Sequence, residues 1–340
     1  MPCLKVRKLP AFPEVRGKLV IQQSYFGRCM MNWKNFFMLV LLASLWGPSF
    51  VFIKVAVESI PPVTLVLGRV GIAALLLYVI LRLQNGRLPK SRTTWKHLAF
   101  VGLMANTFPF ILFAWGEQYI DSALASILNA TTPLFTIILA HFFVVDDRLN
   151  ATKIAGVMFG FFGVVLLVIP SVTDGVQATT FGVLAVACAA AFYGVAIVYG
   201  RNHLRGLPPL VAPTGQLLMA TLYLLPVSLI WERPWTLPAP ELQSIFAMLA
   251  LAVFGTALAF VVYYKLLEVA DASYVSMTTY LMPVFGVILG VLILGESVTL
   301  FMGVGCAFIL FGVMIVNGVF RNIKLRRRRQ PEICATGEIP

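Results

Sequence analysis

Charge is scarce in this chain, and the scarcity sets its class. Asp, Glu, Lys and Arg make up 12% of 340 residues and hydrophobic residues 59%, whereas soluble domains are about a quarter charged. The strict polar–apolar alternation of an outer-membrane barrel is absent. No signal-peptide core precedes the first apolar run, which starts near Asn35 and is too long for one. The five cysteines show no metal-ligand spacing, so neither a metal nor a cofactor is expected. Cys188 and Cys306 fall inside apolar runs and read as small core residues. There is no paired-His metal motif, no Gly-x-Ser-x-Gly and no P-loop. These absences argue against the corresponding enzyme classes, and against ATP-driven pumping by this chain alone.

What the chain does have is long runs without Asp, Glu, Lys or Arg, at 35–53, 98–116, 122–145, 154–173, 175–200, 206–231, 242–264, 272–295 and 297–320. A further run, 59–81, is broken only by Arg69. Crossing a hydrocarbon core takes about 20 residues. Backbone groups in lipid must be satisfied within the segment, which makes helices the expected form. The sequence therefore predicts an all-α membrane protein of ten transmembrane helices. Residues 1–33 and 321–340 read as basic tails. Met30 and Met31 lie near the end of the first tail, and a truncation beginning at Met31 is expected to insert and function.

The net charge is +12, and its placement favours a membrane over nucleic acid as partner. With the N-terminus inside, all Lys and Arg except Lys54, Arg69 and Arg233 fall in inside loops and tails. The positive-inside bias then places both termini in the cytoplasm and the protein in the cell inner membrane. The cluster Arg326–Arg329 fits the same rule.

Self-comparison reveals two copies of one unit. Trp46-Gly47 followed by Pro61-Pro62 matches Tyr193-Gly194 followed by Pro208-Pro209. Asn106, Phe110 and Phe113 match Thr256, Phe260 and Tyr263, and Asp121 matches Asp271. Ser126, Asn129 and Pro133 match Ser276, Thr279 and Pro283, while Arg69 pairs with Gln216. The units are 34–173 and 178–320. Five spans is an odd number, so the second copy enters from the opposite side. Inverted repeats of this kind are the architecture of secondary transporters with a midplane site.

With these residues in view, the sequence resembles the EamA family of the drug/metabolite transporter superfamily over roughly 35–320. The resemblance rests on Trp46-Gly47-Pro48-Ser49-Phe50 with Lys54, on Arg69, Pro133 and Gly255-Thr256-Ala257, and on Pro283 with Leu294-Gly295-Glu296. It implies a ten-span carrier exporting amino acids or similar small metabolites, driven by the proton gradient. The first-half counterpart of the Gly-Glu motif reads Val145-Asp146-Asp147, a departure from the family pattern.

The residues also suggest where a small-molecule substrate would bind. Pro133 and Pro283 each remove a backbone donor, so interrupted helices are expected at matched places. Ser126, Asn129 and Pro133, like Ser276, Thr279 and Pro283, form a stripe at helical spacing. The alternative for the polar members is helix–helix hydrogen bonding. A second matched stripe runs Asn106, Phe110, Phe113 and Thr256, Phe260, Tyr263. Trp46 and its partner Tyr193 complete the aromatic set, which suits an amphipathic solute but also ordinary packing. Arg69 reads as a contact for a carboxylate, or as a snorkelling residue or a partner of Glu58 or Glu117. Lys54 reads as a boundary anchor and His141 as a packed residue. Glu117, Asp121, Glu268 and Asp271 are candidates for proton coupling, with N-capping the simpler role for the two aspartates. An exchanger of phosphorylated sugars or nucleotides would need more deep cations than Arg69 and Lys54. A channel or a membrane-embedded enzyme is the remaining alternative.

Overall fold

The computed structural model describes residues 33–144, 149–173, 177–270 and 272–317, with backbone alone for 170–173, 177, 178, 272 and 273. Residues 1–32 of the first tail, the whole second tail, Asp147 and Asp271 lie outside the described residues, while Trp33, read as the end of that tail, opens the first helix. Among those described, every regular element is helical. Eight helices are apolar and long enough to cross a membrane: α1 Trp33–Ala56, α2 Pro62–Leu83, α3 Arg92–Gly116, α4 Ser122–Phe143, α5 Ala151–Ile169, α6 Thr179–His203, α7 Val211–Thr236 and α8 Leu242–Val269. Two shorter apolar helices follow, α9 Thr278–Leu294 and α10 Leu300–Val316, of 17 residues each. The sequence predicts a longer ninth segment over 272–295. The structure divides it with a turn at Ser276–Met277 and ends it at Gly295, whose φ of +67° is the left-handed conformation that commonly stops helices.

Several helices are not regular, and the irregularities are informative. Helix α1 is broken at Gly47–Pro48 and α4 at Ala130–Thr131. Helices α3 and α8 each contain a π-helical turn, at Leu103–Thr107 and Val253–Leu258. These turns occupy matched places in the two halves. In both, a threonine hydroxyl takes a carbonyl five residues back: Thr107 Oγ1 donates to Gly102 O at 3.2 Å and Thr256 Oγ1 to Leu251 O at 2.9 Å. In α3 the following Pro109 has no N–H to offer the preceding turn, which favours the widening.

The largest packings between the halves come in exchange-related pairs. Helix α1 packs on α8 and α9, as α6 packs on α3 and α4. Helix α2 packs on α8 as α7 packs on α3, while α2–α7, α4–α9 and α5–α10 map onto themselves. Small residues allow the closest of these contacts. A Cβ at Gly163 would lie 2.6 Å from Gly305 O, and one at Gly156 2.8 Å from Gly312 O, so α5 and α10 meet backbone to backbone. Leu65, Leu77, Leu128, Leu217 and Leu251 are fully enclosed in an apolar core that draws on both halves. Phe159, Phe162, Leu184, Leu222, Phe246 and Ile288 are exposed, an apolar outer surface suited to lipid. Cys188 is also exposed and Cys306 half-buried, so Cys188 is not the core residue its apolar run suggests.

Candidate functional site

The site starts from Arg69, which is 7% exposed in the middle of α2. A buried guanidinium is costly unless its donors and its charge are met. Arg69 Nε donates to Thr256 Oγ1 at 2.9 Å. Its guanidinium carbon lies 3.9 Å from the centroid of the Phe110 ring, in cation–π geometry. Arg69 therefore turns inward to the other half and does not snorkel. The widened turn of α8 presents Thr256 to it.

The same arrangement recurs with the halves exchanged. Gln216 is the counterpart of Arg69, and Asn106 of Thr256. Asn106 Nδ2 donates to Gln216 Oε1 at 3.4 Å, again from a π-helical turn. The aromatic residues repeat the relation. Trp46 meets Tyr263 at 5.6 Å between centroids, and their counterparts Tyr193 and Phe113 meet at 6.1 Å. Phe50 joins Phe113 edge-on at 5.6 Å, and Tyr264 joins Tyr263 at 5.3 Å. Tyr193 also lies within electrostatic reach of Arg69.

The stripe on α4 and α9 fares differently. Helix α4 breaks just before Pro133, and Asn129 is buried at that break. Pro283, however, lies inside unbroken α9, and the turn falls earlier at Ser276–Met277. The matched interruption read from the two prolines is thus not matched in the structure, since a bundle can tolerate a proline whose lost partner is a single carbonyl. Ser126 donates to Ala123 O in its own helix and packs against Gly286. Among the described residues, no hydrogen bond or ring contact ties Asn129, Pro133, Thr279 or Pro283 to the Arg69 cluster.

At one end of the bundle a set of charged residues joins the halves, and its roles are not those read from the sequence. Asp121 holds the N-cap position of α4, yet its side chain makes no capping bond. The cap comes from Glu296, whose two oxygens accept from Ser122 N at 2.7 Å and Ala123 N at 2.9 Å. Gly290 makes room, because a Cβ there would strike Glu296. Glu232 caps α2 in the same way, accepting from Val63 N at 2.8 Å, Thr64 N at 2.6 Å and Thr64 Oγ1 at 2.7 Å. Lys54, read from the sequence as a boundary anchor, is tied to the chain itself. Its Nζ donates to Glu117 O at 2.7 Å and Ile120 O at 2.8 Å, capping the C-terminus of α3. His141 accepts from Leu149 N at 3.2 Å, a structural role.

Taken together, the apolar helices, the lipid-suited surface and the inward-facing polar cluster define a multi-pass membrane protein with an enclosed polar centre. The EamA-like transporter family model matches twice, over residues 33–169 and 180–318, and the chain belongs to that family. It is 27% identical to the Bacillus subtilis protein YoaV, named as an uncharacterized transporter, over 86% of this chain and 97% of that one. It is 28% identical to an Archaeoglobus fulgidus protein of the same description, over 85% and 97%. The Escherichia coli K12 inner membrane transporter YedA, likewise named as uncharacterized, is 26% identical over 82% and 89%. A solved crystal structure superposes with a TM-score of 0.60 at 19% identity, covering 86% of this chain and 99% of its own, which speaks to fold alone.

Proposed function

We propose that this membrane transporter is a secondary carrier that exports amino acids or similar small amphipathic metabolites across the inner membrane. It works by alternating access, with proton coupling and both termini in the cytoplasm. Its ten helices form two inverted five-helix halves, 34–173 and 178–320. The observation that carries this reading is the exchanged pair of contacts, Arg69 with Thr256 and Gln216 with Asn106. Related positions in the two halves reach across the same interface. That is what a centre needs if the halves trade conformations about a pseudo-two-fold axis. Arg69 breaks the symmetry with one positive charge, suited to a single carboxylate. Phe110, Trp46, Tyr193 and Tyr263 supply apolar walls. One such cation suits a neutral or singly charged solute better than a phosphorylated one.

Counterflow of radiolabelled leucine in proteoliposomes tests this directly. Wild type should saturate and exchange, releasing leucine unmodified. Arg69→Ala and Asn129→Ala should lower exchange while the folded protein is retained. Flux that does not saturate would identify a channel, and normal exchange by both variants would overturn this placement of the site.

A further inference from the structure

Glu117 follows the last residue of α3 and is 0% exposed. Neither carboxylate oxygen has a hydrogen-bond partner. The groups around it are committed elsewhere. Lys54, on α1, gives its ammonium to the backbone carbonyls of Glu117 and Ile120. Arg69, on α2, gives Nε to Thr256 and its face to Phe110. Glu296, beyond α9, spends both oxygens on the N-terminus of α4. From α6, Tyr193 faces Arg69. Asp121, in the same turn as Glu117, feels Glu296 and Lys54.

An anion enclosed without a donor is far more costly than the neutral acid. Burial, reinforced by the negative charge of Glu296, outweighs the pull of Lys54 and Arg69 toward the carboxylate and holds the Glu117 carboxyl well above the usual carboxylate range. Enclosure therefore favours the neutral, protonated acid at this position. No capping or packing role in the described structure uses this side chain's polar atoms.

We propose that Glu117 is the residue that binds and releases the coupling proton of this carrier. The proposal rests on the proton-coupled reading above and adds its site. When the bundle opens, water reaches the carboxyl and accepts its proton, and Lys54 and Arg69 stabilise the anion left behind. When it opens to the opposite face, a proton from the water there returns to the carboxylate, so each cycle carries one proton across.

Infrared titration of the full chain in lipid vesicles tests the site without any solute. Wild type should keep a protonated-carboxyl band at neutral pH. Glu117→Gln should lose it, and Asp121→Asn and Glu296→Gln should retain it. A band that persists in Glu117→Gln, or no band in wild type, overturns the proposal. Leucine exchange should vary several-fold with pH in wild type and be flat in Glu117→Gln. A variant that keeps the wild-type profile overturns the coupling role. Should Glu117→Gln fail to fold, carbodiimide labelling of wild type decides, because this reagent attacks protonated carboxyls in apolar surroundings. Peptide mapping should find Glu117 modified, and an unmodified Glu117 counts against the proposal. A wild type with the Glu117 band but no leucine exchange removes the amino-acid reading and leaves the proton site standing.

Discussion

Arg69 and Glu117 show two ways in which a single charged residue tolerates enclosure. Arg69 keeps its charge because a hydroxyl and a ring face it. Glu117 has no such partners, and it is cheaper as the neutral acid. This has a consequence for stability. A carboxyl raised in the folded protein binds its proton more tightly there than in the unfolded chain, whose value is near 4.3. Its contribution is therefore fully present below the unfolded value and is lost as pH rises through the folded one. Melting temperature in detergent should thus fall with rising pH more steeply for wild type than for Glu117→Gln. Parallel curves would show that the group does not titrate in the folded state.

At the scale of the element, the helix starts of α2 and α4 depend on carboxylates from the other half of the chain. Ala at Glu296 leaves two N–H groups without an acceptor, and the loss of such a cap costs about 1–2 kcal/mol. Glu296→Ala should lower the melting temperature. Gly290→Ala should do the same by displacing the Glu296 carboxylate, so the double variant should show less than the sum of the two losses. Additive losses would mean that the two residues act separately. The sequence made some of this legible. Arg69, Asn106, Phe110 and Thr256 stand out because polar or matched residues recur between the two repeats within apolar runs, and these are the residues the structure brings together. The source of the caps was hidden. Asp121 is a fitting local cap by sequence, but Glu296 arrives from more than a hundred residues away, which no local pattern records. Pro283 misled for a related reason. Whether a proline breaks a helix depends on the packing around the carbonyl it leaves behind.

Across the whole molecule, the largest packings between the halves survive their exchange, whereas the carboxylate caps, both of which come from the second half, do not. A further cross-half contact, Glu241 N donating to Ser59 Oγ at 3.0 Å, links the end of α1 to the start of α8. If transport needs that end to part, a disulfide there should arrest it. Oxidised Ser59→Cys with Glu241→Cys should lose leucine exchange, and reductant should restore it; undiminished exchange with the bridge formed would mean this end stays shut during the cycle. The widened turns of α3 and α8 carry a mechanical implication of their own. Each stores one residue beyond regular winding. Passing that surplus along the helix would rotate the stretch it crosses by about 100°. Thr256 would then swing off Arg69 like a key withdrawn from its ward, with no need for either half to unfold.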